Sequence, residues 1–119
     1  MELGKSKEDY LKAILILQKK IGNVHSVNVA EYMSVSKASV SVAVKQLRNK
    51  GYLVVDESGN LCFSQKGQKL ASQVYERYDF LTKLFCQVGV PVEIARKDAC
   101  LLEHDISNES FERLKCVFA

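Results

Sequence analysis

The stretch Ser36 to Lys50, Ser-Lys-Ala-Ser-Val-Ser-Val-Ala-Val-Lys-Gln-Leu-Arg-Asn-Lys, decides the fold predicted for this chain. Its apolar residues recur at the spacing of a helix with one buried stripe, and they are Val40, Ala43, Val44 and Leu47. Ser36 is a favourable N-cap residue, and Gly51 follows where a helix end commonly takes a left-handed residue. The stretch therefore predicts a short amphipathic helix with both ends marked.

The segments around this helix predict a winged helix-turn-helix over residues 1–64. Ser6 with Asp9 three residues later predicts a capping box, which opens a first helix that ends near Ile21, and a shorter second helix follows. Downstream, two apolar runs flank the turn residues 56–60, which predicts a β-hairpin. Three helices and a hairpin in this order are typical of a winged helix-turn-helix.

Residues 65–119 are predicted to be helical. A long helical pattern runs to about Val88, another from about Val92 to His104, and Ser107 is positioned to cap a last one. Their apolar faces exceed what so few elements can cover, which predicts a symmetric homodimer. The predicted fold class is therefore mainly α with a small β-hairpin, a winged helix-turn-helix followed by a helical dimerisation region.

Composition indicates a soluble globular protein. The chain is 47% hydrophobic and 26% charged, and its longest apolar run is far too short to span a bilayer. No signal-peptide pattern is evident, so we expect a cytoplasmic protein with no membrane partner. The four cysteines form no Cys-x-x-Cys pair and are expected to be reduced thiols.

The predicted helix at Ser36 to Lys50 is a candidate DNA-binding surface. It carries four cations and no acid, although the net charge of the chain is only +3. The candidate base-facing residues at its start are Ser36, Lys37, Ala38, Ser39, Ser41 and Val42. The candidate phosphate-binding residues further along are Lys45, Arg48 and Lys50. The acids Asp56 and Glu57 at the hairpin tip disfavour phosphate binding, so we expect the wing to be mainly structural.

A second candidate site lies near the C-terminus. Cys100, Glu103 and His104 occupy positions i, i+3 and i+4 of a predicted helix, so their side chains share one face. A thiolate, a carboxylate and an imidazole suit a borderline divalent transition metal better than calcium or magnesium. In the alternative interpretation, Cys100 is a small buried residue, Glu103 is solvated and His104 caps the helix.

Several motifs together resemble the diphtheria-toxin-repressor and manganese-transport-regulator family. They are Asp9-Tyr10-Leu11, the helix from Ser36 to Leu47, Gly51-Tyr52-Leu53-Val54, Lys66-Gly67, and Asp98-Ala99-Cys100 leading to Glu103-His104. The resemblance covers nearly the whole chain. It implies a dimeric bacterial repressor of metal-homeostasis genes that binds a palindromic double-stranded DNA operator when loaded with a divalent transition metal.

The resemblance also implies a set of metal ligands: Asp9, Cys100, Glu103 and His104. It implies a divalent transition metal, Fe²⁺ or Mn²⁺, with Co²⁺, Ni²⁺ or Zn²⁺ able to bind in vitro, and we expect one ion per subunit because of the departures described below. The thiolate favours ferrous ion and its softer neighbours over manganese. Where manganese-responding members bind a second ion, this chain has Lys12 and Tyr78. We expect the Lys12 ammonium to replace that second cation, or alternatively to be a solvated surface group.

Three other functions remain open at this point. The chain could be a metal-independent winged-helix regulator, or a structural metal-binding dimerisation module whose DNA binding does not depend on the ion. An enzyme that uses Cys100 and His104 is disfavoured, because no oxyanion-hole loop or pocket-forming sheet is predicted. We therefore expect no catalytic residues and no small-molecule substrate.

Overall fold

A computed structural model describes residues 4–118, and its elements follow the predicted order. They are α1 Lys5–Ile21, α2 Ser26–Met33, α3 Lys37–Asn49, β1 Leu53–Val55, β2 Leu61–Phe63, α4 Gln65–Gln87, α5 Val92–Leu102 and α6 Asn108–Phe118. The predicted fold class, mainly helical with one antiparallel hairpin, is confirmed. The chain forms two compact units, the first ending at Ser72 and the second beginning at Gln73. Among the described residues, no helix has both the length and the hydropathy to cross a membrane.

Helix α3 begins and ends as its sequence predicts. The Ser36 hydroxyl accepts a hydrogen bond from the backbone N–H of Ser39 at 3.1 Å, which confirms the N-cap. Gly51 follows the helix with a φ of 84°, in the left-handed region that glycine adopts without strain. The predicted apolar stripe is buried, and Val40 and Leu47 are completely inaccessible to solvent.

The start of α1 differs from the prediction, because the expected capping box at Ser6 is wrong. The helix begins at Lys5 with Gly4 as its N-cap residue, and no side chain caps it. The N–H of Glu8 already donates to the carbonyl of Gly4 at 3.2 Å, so Ser6 lies inside the first turn. The predicted end of the helix at Ile21 is confirmed.

The hairpin is hydrogen-bonded to α1 and to the link between α1 and α2. β1 and β2 pair antiparallel with Leu53 opposite Phe63. The N–H of Leu61 donates to the carbonyl of Val24, in the link between α1 and α2, at 2.8 Å. The side-chain amide of Gln18 on α1 donates to the carbonyl of Leu61 at 3.2 Å. These bonds give backbone groups at the start of β2 partners outside the hairpin.

The start of α4 makes a close backbone contact with the segment before β1. The Ser64 hydroxyl donates to the carbonyl of Gly51 at 2.5 Å and accepts from the N–H of Gly67 at 3.0 Å, so it caps α4. A Cβ atom at Gly67 would lie only 1.9 Å from the carbonyl oxygen of Tyr52. Only glycine fits here, because the contacting atom is backbone and cannot move aside.

In the second unit, the last helices pack around Phe111 of α6, which is buried. The Phe80 ring of α4 meets the Phe111 ring edge to face, with centroids 5.6 Å apart. Ser107 caps α6 as predicted, since its hydroxyl accepts from the N–H of Ser110 at 3.1 Å. The predicted extent of α5 is wrong at its end, because the helix stops at Leu102 rather than at His104.

We predict that Gly67→Ala lowers the free energy of unfolding by about 2 kcal/mol or more, because the added methyl group overpacks against a backbone carbonyl. Urea denaturation monitored by circular dichroism measures the change. Lys69→Ala, at an exposed position of the same helix, is the control and should leave the free energy within about 0.5 kcal/mol of wild type. Equal stability of Gly67→Ala and wild type would contradict the close contact.

Candidate metal centre and nucleic-acid interface

Glu103 and His104 form a buried pair of potential metal ligands. The Glu103 side chain is completely inaccessible and that of His104 is 5% exposed, with 3.2 Å between the Glu103 Oε1 and His104 Nε2 atoms. The alternative interpretation, in which Glu103 is solvated, is therefore wrong. A buried carboxylate beside an imidazole is a donor pair suited to a divalent transition metal.

Glu103 is the last residue with helical geometry at the end of α5, and His104 begins the turn that follows. Glu103 keeps helical angles, and its N–H still donates to the carbonyl of Ala99 at 2.9 Å. The N–H groups of Asp105 and Ile106 then both donate to the carbonyl of Leu102 at 3.0 Å, which tightens the chain into a turn. Glu103 therefore lies at the helix end and His104 just beyond it.

Arg77 of α4 holds this turn, and the sequence interpretation missed it. Its guanidinium donates to the carbonyls of Glu103 at 3.2 Å and Ile106 at 2.7 Å, and to the Asn108 side chain at 3.4 Å. The signal was available, because Arg77 shares the apolar helical stripe of Val74 and Leu81. A cation on a stripe that packs inward needs partners there.

The other two predicted ligands lie on different elements. Cys100 is half-buried on α5, one turn before Glu103. Asp9 belongs to the first unit, where its carboxylate lies 3.7 Å from the Lys12 ammonium. The Lys12 side chain is only 8% exposed, so its interpretation as a solvated surface group is wrong. Tyr78 is half-buried, and its ring centroid is 6.4 Å from that of Tyr75.

The candidate DNA-binding residues of α3 all lie at the surface. Each of the nine is exposed, and they are Ser36, Lys37, Ala38, Ser39, Ser41, Val42, Lys45, Arg48 and Lys50. Val42 exposes 57% of its surface, although its side chain is apolar. An open groove of about 670 Å³ runs between α3 and the hairpin, with Lys45 and Arg48 in its wall. The arrangement presents small groups and cations on one side of the first unit.

The hairpin tip is organised by the carboxylate of Asp56. Its Oδ1 accepts from the N–H groups of Ser58 and Asn60, both at 2.9 Å, and its Oδ2 accepts from the Asn60 side chain at 3.0 Å. These hydrogen bonds, above all those from Asn60, hold the pKa of the Asp56 carboxyl below its ordinary value. The carbonyl of Ser58 also lies 3.1 Å from the Nε2 atom of His25 on the link before α2.

Two protein-family models together match nearly the whole chain. The iron dependent repressor N-terminal DNA binding domain matches residues 2–61, and the iron dependent repressor metal binding and dimerisation domain matches residues 64–118. The chain belongs to the iron-dependent repressor family. This membership confirms the resemblance found in the sequence motifs. The family comprises metal-dependent transcriptional regulators and not enzymes.

Individual relatives of this chain support the same family membership. The HTH-type transcriptional regulator MntR of Lysinibacillus sphaericus (strain C3-41) is 31% identical over 109 residues, which are 92% of this chain and 78% of that protein. The transcriptional regulator MntR of Escherichia coli O6:H1 is 29% identical over 108 residues, covering 91% and 70%.

Two solved structures match the fold of this repressor. The manganese regulator SloR superposes with a TM-score of 0.82 at 31% identity and covers 97% of this chain. The metal-dependent transcriptional regulator MtsR superposes with a TM-score of 0.83 at 31% identity and covers 94%. The chain spans about half the length of each, 54% of SloR and 53% of MtsR.

We predict a pH effect at the hairpin tip. The Asp56 pKa is lower in the folded chain than its ordinary value of 3.8. The ionised carboxylate therefore stabilises the folded hairpin fully above pH 3.8, and this stabilisation is lost as the pH falls through the lower folded pKa. In NMR spectra, the Ser58 and Asn60 amide signals should therefore titrate with a midpoint below 3.8. Glu57→Gln, which removes the neighbouring exposed carboxylate, should leave that midpoint unchanged, whereas a midpoint at or above 3.8 would contradict the hydrogen bonding.

Proposed function

We propose that this chain is a dimeric repressor whose binding to a palindromic DNA operator of metal-homeostasis genes is controlled by a divalent transition metal. The observation that carries the proposal is the buried Glu103 and His104 pair, within a sequence that matches a metal binding and dimerisation domain. Residues 1–64 serve as the DNA-binding domain and residues 65–119 as the metal-binding and dimerisation region. A metal-independent regulator is not favoured, because the match to the metal-binding domain runs from residue 64 to 118.

The proposed ligands of one ion per subunit are Asp9, Cys100, Glu103 and His104. They offer two carboxylates, a thiolate and an imidazole, a set that fits Fe²⁺ or Mn²⁺ and accepts Co²⁺, Ni²⁺ or Zn²⁺. A bound ion supplies positive charge and directional bonds that hold these four side chains in one arrangement. The similar protein SloR is named a manganese regulator, whereas the Cys100 thiolate favours ferrous ion here.

Lys12 supports a site for a single ion. Its buried ammonium places a fixed positive charge 3.7 Å from the Asp9 carboxylate, one helical turn away. That charge disfavours a second dication beside Asp9, because like charges repel strongly where water is excluded. Tyr78 offers a phenol in place of a ready ligand. We therefore propose that this chain works with one ion where the manganese-responding members that it resembles use two.

The exposed face of α3 is proposed to enter the major groove. Ala38 and Val42 can contact thymine methyl groups, while the serines allow close approach of the helix to the bases. Lys45, Arg48 and Lys50 bind phosphates and thereby set the position of the helix on the duplex. Few of these side chains can make two hydrogen bonds to one base, so half-site spacing in a dimer contributes strongly to specificity.

The dimer interface is proposed to lie on the second unit, which exposes several large apolar side chains. These are Val88, Val92, Ile94, Leu101, Val117 and Phe118, each with more than two fifths of its surface accessible. Exposed apolar groups in such number favour burial against a partner. A second copy of the chain is the partner that the matched dimerisation domain supports.

We predict that operator binding depends on metal through His104. In gel shifts with a chelator or with Fe²⁺ (without oxygen), Mn²⁺, Co²⁺, Ni²⁺ or Zn²⁺, the effective ion should tighten wild-type binding roughly 5- to 150-fold. His104→Ala should abolish that increase, because it removes a ligand without touching α3. The residual affinity of the metal-free protein should stay the same.

Asp105→Asn is the matched control, since it changes an exposed acid in the same turn. It should respond to metal as the wild type does. Operator binding that is equally tight with chelator and with every ion would overturn the proposed function. Metal-dependent thermal stability together with metal-independent operator binding would instead support a structural metal module.

We predict that Lys12→Glu creates a second metal-binding step. The substitution replaces the buried cation with a carboxylate beside Asp9, so a second dication gains a ligand and loses its electrostatic competitor. Isothermal titration with Mn²⁺ should give one ion per subunit for the wild type and two for the variant. Lys12→Gln removes the charge without adding a carboxylate and should retain one step. A single step in Lys12→Glu would contradict the proposed role of Lys12.

A further inference from the structure

We infer that Arg77 is a positioning residue for the metal centre, which it serves by fixing the backbone that carries Glu103 and His104. The inference rests on the proposed function, since it assigns Arg77 a role at that site. Arg77 itself donates only hydrogen bonds and is not a metal ligand, because a guanidinium has no lone pair to offer. Its effect therefore passes through the turn after α5.

The hydrogen bonds of Arg77 bracket the two ligands. Its Nη1 atom donates to the Glu103 carbonyl at 3.2 Å and to the Ile106 carbonyl at 2.7 Å. His104 lies between these two anchored peptide groups along the chain. Since the guanidinium is planar and its donors have fixed directions, both ends of the short turn are held relative to one rigid group.

The same side chain also secures the start of α6. Its Nη2 atom reaches the Asn108 side chain at 3.4 Å, and the guanidinium carbon lies 5.2 Å from the centre of the Phe111 ring. The side chain thus links α4, the turn and α6 through four separate contacts. Carbonyls at a helix end carry partial negative charge, which favours a cation at this place.

Packing alone does not account for an arginine at this position. The residue is 7% exposed on the apolar stripe of α4, where Val74 and Leu81 are completely buried. Transfer of a cation to such a place is unfavourable unless every donor finds a partner, and an aliphatic residue would avoid that penalty. The contacts that compensate for its burial are concentrated on the turn with the proposed ligands.

Positioning of this kind changes metal affinity rather than fold. Ligands whose backbone is held in place lose less conformational freedom when an ion binds, and groups that orient ligands typically affect affinity about 10- to 100-fold. Without Arg77, the Glu103 and His104 side chains keep their chemistry but sample more arrangements. Binding should weaken by that factor while the helices stay intact.

The test compares Arg77→Met with Lys115→Met as its matched control. Lys115 also places a cation by the Phe111 ring, 5.3 Å from its centre, and pairs with Glu76 on α4. Both variants remove one cation from the same ring, but only Arg77→Met removes the donors to the turn. Arg77→Lys is the third variant, because it keeps the charge but cannot reproduce the planar set of donors.

Two measurements are made on the full chain. The first is metal-free hydrogen exchange at the Asp105 and Ile106 amides, which donate to the Leu102 carbonyl. The second is Mn²⁺ affinity per folded molecule, together with the visible absorption spectrum of the Co²⁺ complex. Arg77→Met should speed exchange at these amides, weaken Mn²⁺ binding about 10- to 100-fold and alter the Co²⁺ spectrum. Arg77→Lys should restore these properties in part, and Lys115→Met should match the wild type.

The outcomes separate the inference from the proposed function. A wild-type chain that binds no Mn²⁺ or Co²⁺ overturns both. Wild-type binding together with unchanged affinity per folded Arg77→Met molecule overturns the inference alone. If Arg77→Met does not fold, Arg77→Lys decides: wild-type exchange and affinity overturn the inference, whereas faster exchange with weaker binding supports it.

Discussion

Burial of one face of α3 is the interaction on which the first unit depends. Val40 and Leu47 are completely enclosed, and the N–H of Tyr52 donates to the carbonyl of Leu47 at 2.9 Å, so the segment that leads into β1 starts from the end of this helix. With one face buried, the rotation of the helix about its axis is set. The opposite face, with its serines and cations, is therefore exposed to solvent as a direct consequence of this packing.

Elements whose signals are local could be predicted from the sequence. For α3, the apolar residues at helical spacing, the N-cap serine and the terminating glycine all lie within sixteen residues, and the hairpin contains its own turn residues. The predicted capping box at Ser6 was wrong because the helix begins earlier, with Gly4 as its N-cap residue. From the sequence alone, a serine in the first turn cannot be distinguished from a serine at the N-cap. The end of α5 could not be predicted, because Arg77, more than twenty residues upstream, binds the carbonyls beyond it.

At the candidate metal site, the residue types could be predicted from the sequence, but the environment of their side chains could not. The residue types Glu103 and His104 were predicted from a short motif, and the structure makes them adjacent and buried. Their environment was not predictable, because burial depends on packing that a one-dimensional pattern does not contain. Lys12 illustrates the point, since a lysine is ordinarily a surface residue and only tertiary structure encloses its ammonium beside Asp9.

The burial of Glu103 and His104 affects how fast a metal ion can bind and dissociate. With side chains 0% and 5% exposed, they are not open to direct collision with a hydrated ion. Under the proposed function, an ion would reach these two side chains only when the surrounding structure opens, so the step that engages them would be limited by a local opening rate rather than by diffusion. Such a regulator averages over brief fluctuations in ion concentration and keeps its state after the supply has changed.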